Sequence, residues 1–426
     1  MTYSLENARS LVAIALILLV CWLFSEDKRR FPWKLAIGAL AVQTALVIAL
    51  FALPNSREAL SGVTAAVNGL ASATDHGTEF VFGYLGGRPA AQPFPVAQEG
   101  ALFIFGFRVL PLILVISSLS ALLWHWKVLK WLTRLFGLIF EKTMGLGGAS
   151  ALAVAANIFM GMVESPIVIR AYLDKLTRSE LFLLMVVGLS TVAGSTMVAY
   201  ALILAPVLEN AAGHVLAASI ISAPAGVLLA RIMIPQEQAP GAAYDYDSGL
   251  KYDGPMDAIT TGIRDGMMVA VNVASFLIVF VAFVWIINNL LALAPPIDGE
   301  PLTLQRIFGY VFAPVVYMIG VSWQDALKAG EVLGAKLFLT EFIAFIDLSN
   351  IPDGEIADRS RMIMTYAVCG FANVASMGIM SGGLTALMPE RRGEILSLVW
   401  RALLPGFLAT LVSASLVAAL PATMFD

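Results

Sequence analysis

Charge is scarce in this chain: Asp, Glu, Lys and Arg make up 13% of its 426 residues, against about 25% in a soluble globular domain. That scarcity excludes a water-facing surface over most of the chain. With 59% hydrophobic residues, the composition is that of an integral membrane protein. Basic charge is not in excess either, and a net charge of −4 leaves no basic face for nucleic acid. There are two cysteines, Cys21 and Cys369, both in apolar runs, which excludes a disulfide framework and a thiolate metal site. The three histidines, His76, His125 and His214, stand outside the polar core described below. Neither His-Glu-x-x-His, Gly-x-Ser-x-Gly nor a P-loop is present, so a membrane-embedded hydrolase lacks its machinery and the chain is not read as an enzyme.

What the chain has is apolar length. The first run, Leu11–Phe24, has its cationic cluster (Lys28, Arg29, Arg30, Lys34) after it and no small-residue cleavage site. It reads as a retained first span rather than a signal peptide. Further spans fit Leu35–Leu53, Leu102–Trp124, Leu181–Leu204, His214–Ile234, Met267–Ile287, Met362–Met388 and Leu403–Leu420, each near the length that crosses ~30 Å of hydrocarbon. Lys127, Lys130, Arg134 and Lys142 follow the third span, and Arg391 and Arg392 precede the last, whereas Glu209–Gly213 and Ala294–Glu300 hold no Lys or Arg. Under the positive-inside rule this alternation fits about eight crossings with both termini outside. Two stretches, Lys127–Leu176 and Leu302–Leu348, do not fit as spans. Each begins with an amphipathic segment with a tryptophan (Trp131, Trp323) and runs to a hydrophilic turn, which reads as an interfacial helix leading into a re-entrant hairpin.

Each hairpin carries a carboxylate in apolar surroundings, Glu164 in the first and Glu341 in the second. A carboxylate in hydrocarbon costs at least ~2.5–3.5 kcal/mol, so it needs a partner, water or a ligand. Neither is read as having a Lys or Arg partner within its hairpin. Each hairpin is followed by a long span with a polar break, at 190–196 and at 370–376. The first unit starts from the inside and the second from the outside, which makes an inverted repeat. Counted from the polar turns at 1.5 Å per helical residue, Glu164 and Glu341 lie ~16 and ~13 Å deep, and Thr191 and Asn373 ~20 and ~18 Å. All four converge near the middle of a core ~30 Å thick.

The expected architecture is therefore all-α and membrane-embedded. It comprises a three-span region (1–126), a first repeat unit (127–212), scaffold spans (213–301), a second unit (302–388) and a C-terminal span (389–426). Two carboxylates suit a neutral solute rich in hydroxyls, because each oxygen can accept from an OH group. Asn373 adds a donor and an acceptor, and Ser376 shares its helix face. Phe371 can stack on a ring. Asn157 and Thr191, with carbonyls freed by a broken helix, make an oxygen cage of the sort that holds Na⁺. The plain alternative for the Ser, Thr and Asn residues, Ser195 included, is bonding within and between helices.

These motifs resemble the concentrative nucleoside transporters. The resemblance runs from about Lys127 to the C-terminus and rests on Asn157 with 161–166, on 191–195, on 341–345 and on 369–373. It implies a homotrimer with one pathway per subunit in a bacterial inner (plasma) membrane, crossed several times by each chain. It further implies ribose bound by Glu341, Asn373, Ser376 and Phe371, and the nucleobase facing Met162, Val163, Glu164 and Thr196. Sodium would lie at Asn157, Thr191 and the backbone of Met160 and Val192. Many members carry Gln-Thr where this chain has Met162-Val163. A thioether and an isopropyl group cannot bond a base edge, whereas Met packs against a wide purine ring. Together with Thr191-Val192 this is similar to the purine-preferring branch. The expectation is an ion-coupled symporter for purine nucleosides, and for uridine, working by alternating access. Two readings stay open beside it: proton coupling, with Glu164 carrying the proton, and a nucleoside sensor that does not transport.

Overall fold

The computed structural model describes residues 5–53, 56–86, 104–236, 249–296, 299, 301–421 and 424–425. Among them every regular element is a helix. The N-terminal part holds α1 (Leu5–Leu23), α2 (Trp33–Phe51), α3 (Ser56–Phe82), α4 (Phe105–Arg108) and α5 (Leu110–His125). The stretch expected as the first repeat unit follows as α6 (Val128–Met144), α7 (Gly148–Phe159), α8 (Glu164–Val168), α9 (Arg178–Ser190) and α10 (Gly194–Leu204). Next come α11 (Ala211–Met233) and α12 (Pro255–Leu291). The second unit is α13 (Leu304–Ile319), α14 (Ala326–Phe338), α15 (Glu341–Asn350), α16 (Asp358–Val368) and α17 (Val374–Leu387), and α18 (Arg392–Ala419) ends the fold.

Six helical segments among the described residues are long and apolar enough to cross a membrane: Trp33–Phe51, Phe105–His125, Arg178–Leu204, Ala211–Met233, Pro255–Leu291 and Pro389–Ala419. Of the other two expected spans, Leu11–Phe24 falls largely in the shorter apolar helix α1, and 362–388 is divided by an irregular stretch into α16 and α17. Two further differences from the sequence reading stand out. Residues 54–100 had no readable role, yet 56–82 form a helix of 27 residues. Its mixed run of Ala, Gly and polar residues lacks the continuous hydropathy by which spans are recognised. Residues 54–55 and 87–103 lie outside the described part. Trp323, expected on an amphipathic helix, lies instead in the turn between α13 and α14, while Trp131 is on α6 as expected.

Local chemistry fixes where the units bend. Thr177 opens α9 with a capping box: its hydroxyl accepts from the Glu180 N–H at 3.2 Å, and Glu180 Oε2 accepts from the Thr177 N–H at 3.0 Å. Thr340 caps α15 by accepting from the Ile343 N–H at 3.3 Å, and Asn373 caps α17 by accepting from the Ser376 N–H at 2.8 Å. Each hairpin leaves from and returns to one end of its unit. At the first, Ser150 in the opening turn of α7 donates to Glu180 at the start of α9, 3.0 Å away. At the second, Asp325 just before α14 accepts from the Ala357 N–H just before α16, at 3.3 Å. An arginine clasps each polar turn: Arg391 donates to the carbonyls of Leu173 and Leu176, and buried Arg361 to those of Leu348 and Ile351.

The two turns sit at opposite ends of the molecule. Glu26, just past α1, accepts from Arg178 at 2.9 Å and also from Arg401, which gathers the first turn with the first half of α18. At the other end Asn7 donates to the carbonyls of Ala418, Ala419 and Leu420, and Arg9 to that of Val321. Buried α11 runs between the units. α12 lies against α5 with backbones nearly touching: a Cβ on Gly262 would fall 2.5 Å from Ser118 Cα, so only glycine fits.

Candidate functional site

The breaks of the two units meet. The Phe371 N–H, in the break between α16 and α17, donates to the Thr191 carbonyl, in the break between α9 and α10, at 3.2 Å. A Cβ on Gly370 would fall 2.9 Å from the Ser190 carbonyl oxygen, so glycine is required for this crossing. The first hairpin's tip closes in as well, because a Cβ on Gly194 would be 2.8 Å from the Phe159 carbonyl oxygen. Three helix interruptions thus share one region, where backbone groups freed from helices face one another rather than lipid.

A cavity of about 110 Å³ opens beside this crossing. Its wall includes Met162, Val163, Glu164 and Thr196 from the first unit, and Glu341, Phe371, Asn373 and Ser376 from the second. All eight residues assigned to nucleoside from the sequence are therefore brought together. Glu341 is the first residue of α15 and Glu164 the first of α8, so each carboxylate stands at a helix N-terminus, where unpaired N–H groups favour negative charge.

Glu341 is held by both oxygens. Oε2 accepts from the Asn373 carboxamide at 2.5 Å and Oε1 from the Tyr200 hydroxyl at 2.6 Å. The Asn373 carboxamide is fixed in turn, since its oxygen caps α17. Tyr200 is buried, stacked on Phe345 at 4.5 Å and edge-on to Phe342 at 4.7 Å. Glu164 is folded back on its own hairpin tip: a Cβ on Gly161 would fall 2.1 Å from its Oε2.

The residues read as a sodium site lie at the C-terminal ends of α7 and α9, with Asn157, Thr191 and Val192 buried and Met160 half-buried. The Asn157 carboxamide NH₂ donates to the Ala153 carbonyl, and its oxygen accepts from Ser165 Oγ at 2.7 Å. That orientation turns the oxygen away from its own helix, and a Cβ on Gly188, in the last turn of α9, would lie 3.5 Å from it. The Thr191 hydroxyl donates back to Val187 at 2.9 Å and keeps its lone pairs. Met160 and Val192 add backbone carbonyls in extended or broken stretches. An all-oxygen, uncharged set of this kind fits a hard monovalent cation.

Residues 12–85 and 214–418 match the families described as Na⁺ dependent nucleoside transporter N-terminus and C-terminus, and residues 106–207 match a nucleoside recognition gate. Over 95% of its length the chain is 36% identical to the uncharacterized transporter YutK of Bacillus subtilis, covering 97% of that protein. Over 96% it is 33% identical to the nucleoside permease NupC of Helicobacter pylori, covering 96% of it. The chain belongs to the Na⁺-dependent nucleoside transporters. It is a nucleoside transporter of the membrane, coupled to Na⁺, and not an enzyme. Among solved structures it resembles the transporter CNTnw in an inward-facing substrate-bound state, with a TM-score of 0.88 and 31% identity over 98% of this chain and 99% of that one. An outward-facing variant of CNTnw matches with a TM-score of 0.89 at 30% identity, over 97% of each chain.

Three features of this transporter's site escaped sequence reasoning. Val269, Asn272 and Phe276 of α12 line the cavity, although that helix reads as a plain scaffold span. Asn272, a lone amide in an apolar run, was the available signal. Tyr200 reaches Glu341 from the other repeat unit, and a phenol in an apolar half-helix was its only mark. Lys336 corrects the expectation that no cation accompanies the carboxylates, because it lies five residues before Glu341 in the same hairpin. Its ammonium bonds the Ala367 carbonyl at 2.8 Å and Thr410 Oγ1 at 2.6 Å, not a carboxylate.

Proposed function

We propose that this transporter imports purine nucleosides, and uridine, with Na⁺ by alternating access across a bacterial inner membrane. The observation that carries this reading is the Tyr200–Glu341–Asn373 chain, whose members come from both repeat units and hold Glu341 in the wall of one cavity. Each Glu341 oxygen accepts one internal hydrogen bond and keeps a lone pair, so the carboxylate can still accept from the two ribose hydroxyls. Asn373 and Ser376 complete the ribose side, with Phe371 against the nucleoside. On the base side Met162 and Val163 offer packing without hydrogen bonds, while Glu164 and Thr196 remain to bond a base edge. Rejection of the smaller pyrimidine rests on lost packing, worth ~1–3 kcal/mol, so selectivity is a preference.

Sodium is assigned to Asn157, Thr191 and the carbonyls of Met160 and Val192. Its binding draws the first hairpin tip onto the break beyond α9, which sets Met162 and Glu164 for the base. The hairpins are read as re-entrant. The units 127–212 and 302–388 move together against a scaffold made of 1–126, 213–301 and 389–426, and the scaffold joins three subunits, each with its own pathway. A second cavity adjoins the first at Gly161, Glu164 and Ser195 and leads past Ser120 toward Tyr252 and Asp265, at the end bearing the Lys127 cluster. That supports an exit to the inner face.

Uptake of radiolabelled adenosine and cytidine into proteoliposomes tests the reading. Adenosine accumulation driven by an imposed Na⁺ gradient, with little cytidine, is the expected result. Accumulation driven only by a proton gradient removes the sodium site, and equal uptake of both nucleosides removes the Met162 argument.

A further inference from the structure

Superposing the two repeat units by their caps, rather than by sequence, pairs residues that differ in kind. The first hairpin arms end at C-caps Met160 and Leu339, and the second arms begin at Glu164 and Glu341. Three residues before each C-cap stand Asn157 in the first unit and Lys336 in the second. Both are buried, at 1% and 0% exposure. Both also face the same feature, the C-terminal end of the first half of the broken helix. Asn157 turns its oxygen to the last turn of α9. Lys336 donates to Ala367, one residue before the end of α16. Carbonyls at such an end lack helical donors and carry partial negative charge.

We propose that Lys336 is a built-in cation, its ammonium filling in the second unit the position that the first unit leaves to a sodium ion. The proposal rests on the reading of Asn157 and Thr191 as the sodium site. The surroundings of Nζ are those of an alkali ion: a helix-end carbonyl and a hydroxyl oxygen, with the Phe407 ring 5.1 Å away. Thr410 spends its own proton on the Ala367 and Phe407 carbonyls, so it turns a lone pair to the ammonium. Among the described residues no carboxylate pairs with Lys336 at salt-bridge distance. Glu341 lies within its electrostatic reach. Burying an ammonium without a partner carboxylate is costly, and here helix-end carbonyls answer it as they would answer Na⁺. One unit therefore loads and unloads its cation while the other is permanently loaded. That makes the first unit the only ion-coupled half and fixes one Na⁺ per nucleoside.

Adenosine binding to purified protein, titrated against Na⁺ by calorimetry, tests this with two variants. Wild type should respond to Na⁺ with a Hill coefficient of about 1, and Lys336→Ala, which leaves a space, with one rising toward about 2. At low Na⁺ the alanine variant should bind adenosine roughly tenfold or more weaker, and ethylammonium should restore it where propanol does not. Lys336→Met fills the space without charge, so neither Na⁺ nor ethylammonium should rescue it. Wild-type affinity in Lys336→Met overturns the proposal, as does folded Lys336→Ala that neither high Na⁺ nor ethylammonium rescues. Loss of the Na⁺ response in wild type removes the sodium site instead. Amine rescue of the alanine variant would still stand on its own, so the two failures are told apart.

Discussion

Both oxygens of Glu341 are engaged, by Asn373 and by Tyr200, before any nucleoside enters. A carboxylate fixed this way is pre-organised, and on the proposed reading it accepts the ribose hydroxyls at little reorganisation cost. Tyr200→Phe keeps the ring stacked on Phe345 and removes only the hydroxyl. Hydrogen bonds to charged groups are worth ~1.5–3 kcal/mol, so the KM for adenosine should rise about tenfold or more with the Na⁺ response unchanged. A fall in thermal midpoint with an unchanged KM would give Tyr200 a packing role alone. Across the cavity, Met162→Gln supplies the donor and acceptor that the base side lacks. Cytidine uptake should rise relative to adenosine by ~10-fold, read as a ratio of kcat/KM values in parallel uptake assays.

At the scale of the element, function depends on helices that stop. Thr177, Thr340 and Asn373 begin helices at set points, and Asn373 closes the break that carries Phe371, while Thr191 and Val192 lie in the break after α9. Close approach of the hairpin to the broken helix needs small residues as much as caps. A Cβ on Gly188 would fall 2.9 Å from Met380 Cε and 3.0 Å from Met162 Cβ, beside the Asn157 oxygen. Gly188→Ala should push the hairpin tip off α9, at a cost of ~1–3 kcal/mol in packing. Half-saturating Na⁺ should rise severalfold while adenosine affinity at saturating Na⁺ changes little. Equal effects on both would mean that the tip does not report on the ion site.

On the scale of the whole molecule, the proposed pathway depends on how the cavities connect. The crossing of the breaks, where Phe371 bonds Thr191, lies beside the first cavity, which adjoins the second at Gly161, Glu164 and Ser195. Both native cysteines are buried, so thiol labelling has a silent background. Ser120→Cys, lining the second cavity, should react with a membrane-impermeant reagent applied from the inner face. Adenosine together with Na⁺ should slow that reaction, and neither alone should match the pair. Labelling from the outer face at the same rate would argue against alternating access.

Six of the expected spans, the embedded Glu164 and Glu341 and the two polar breaks were legible because hydropathy and the burden of a buried charge are properties of a short stretch of chain. The pairing of motifs into units followed from their order alone. Helix α3 was not legible, because its Ala-rich mixed sequence carries no hydropathy signal. Nor was the contact of Tyr200 with Glu341, which joins residues 141 positions apart, or the turn of Asn272 toward the cavity. Lys336 was visible in sequence but not interpretable, since its partners, Ala367 and Thr410, lie 31 and 74 residues away. By itself the sequence determined that polar groups must gather at mid-membrane. Only the tertiary structure decided which of them touch, because a buried hydrogen bond is fixed by the packing of helices that the chain order does not place side by side.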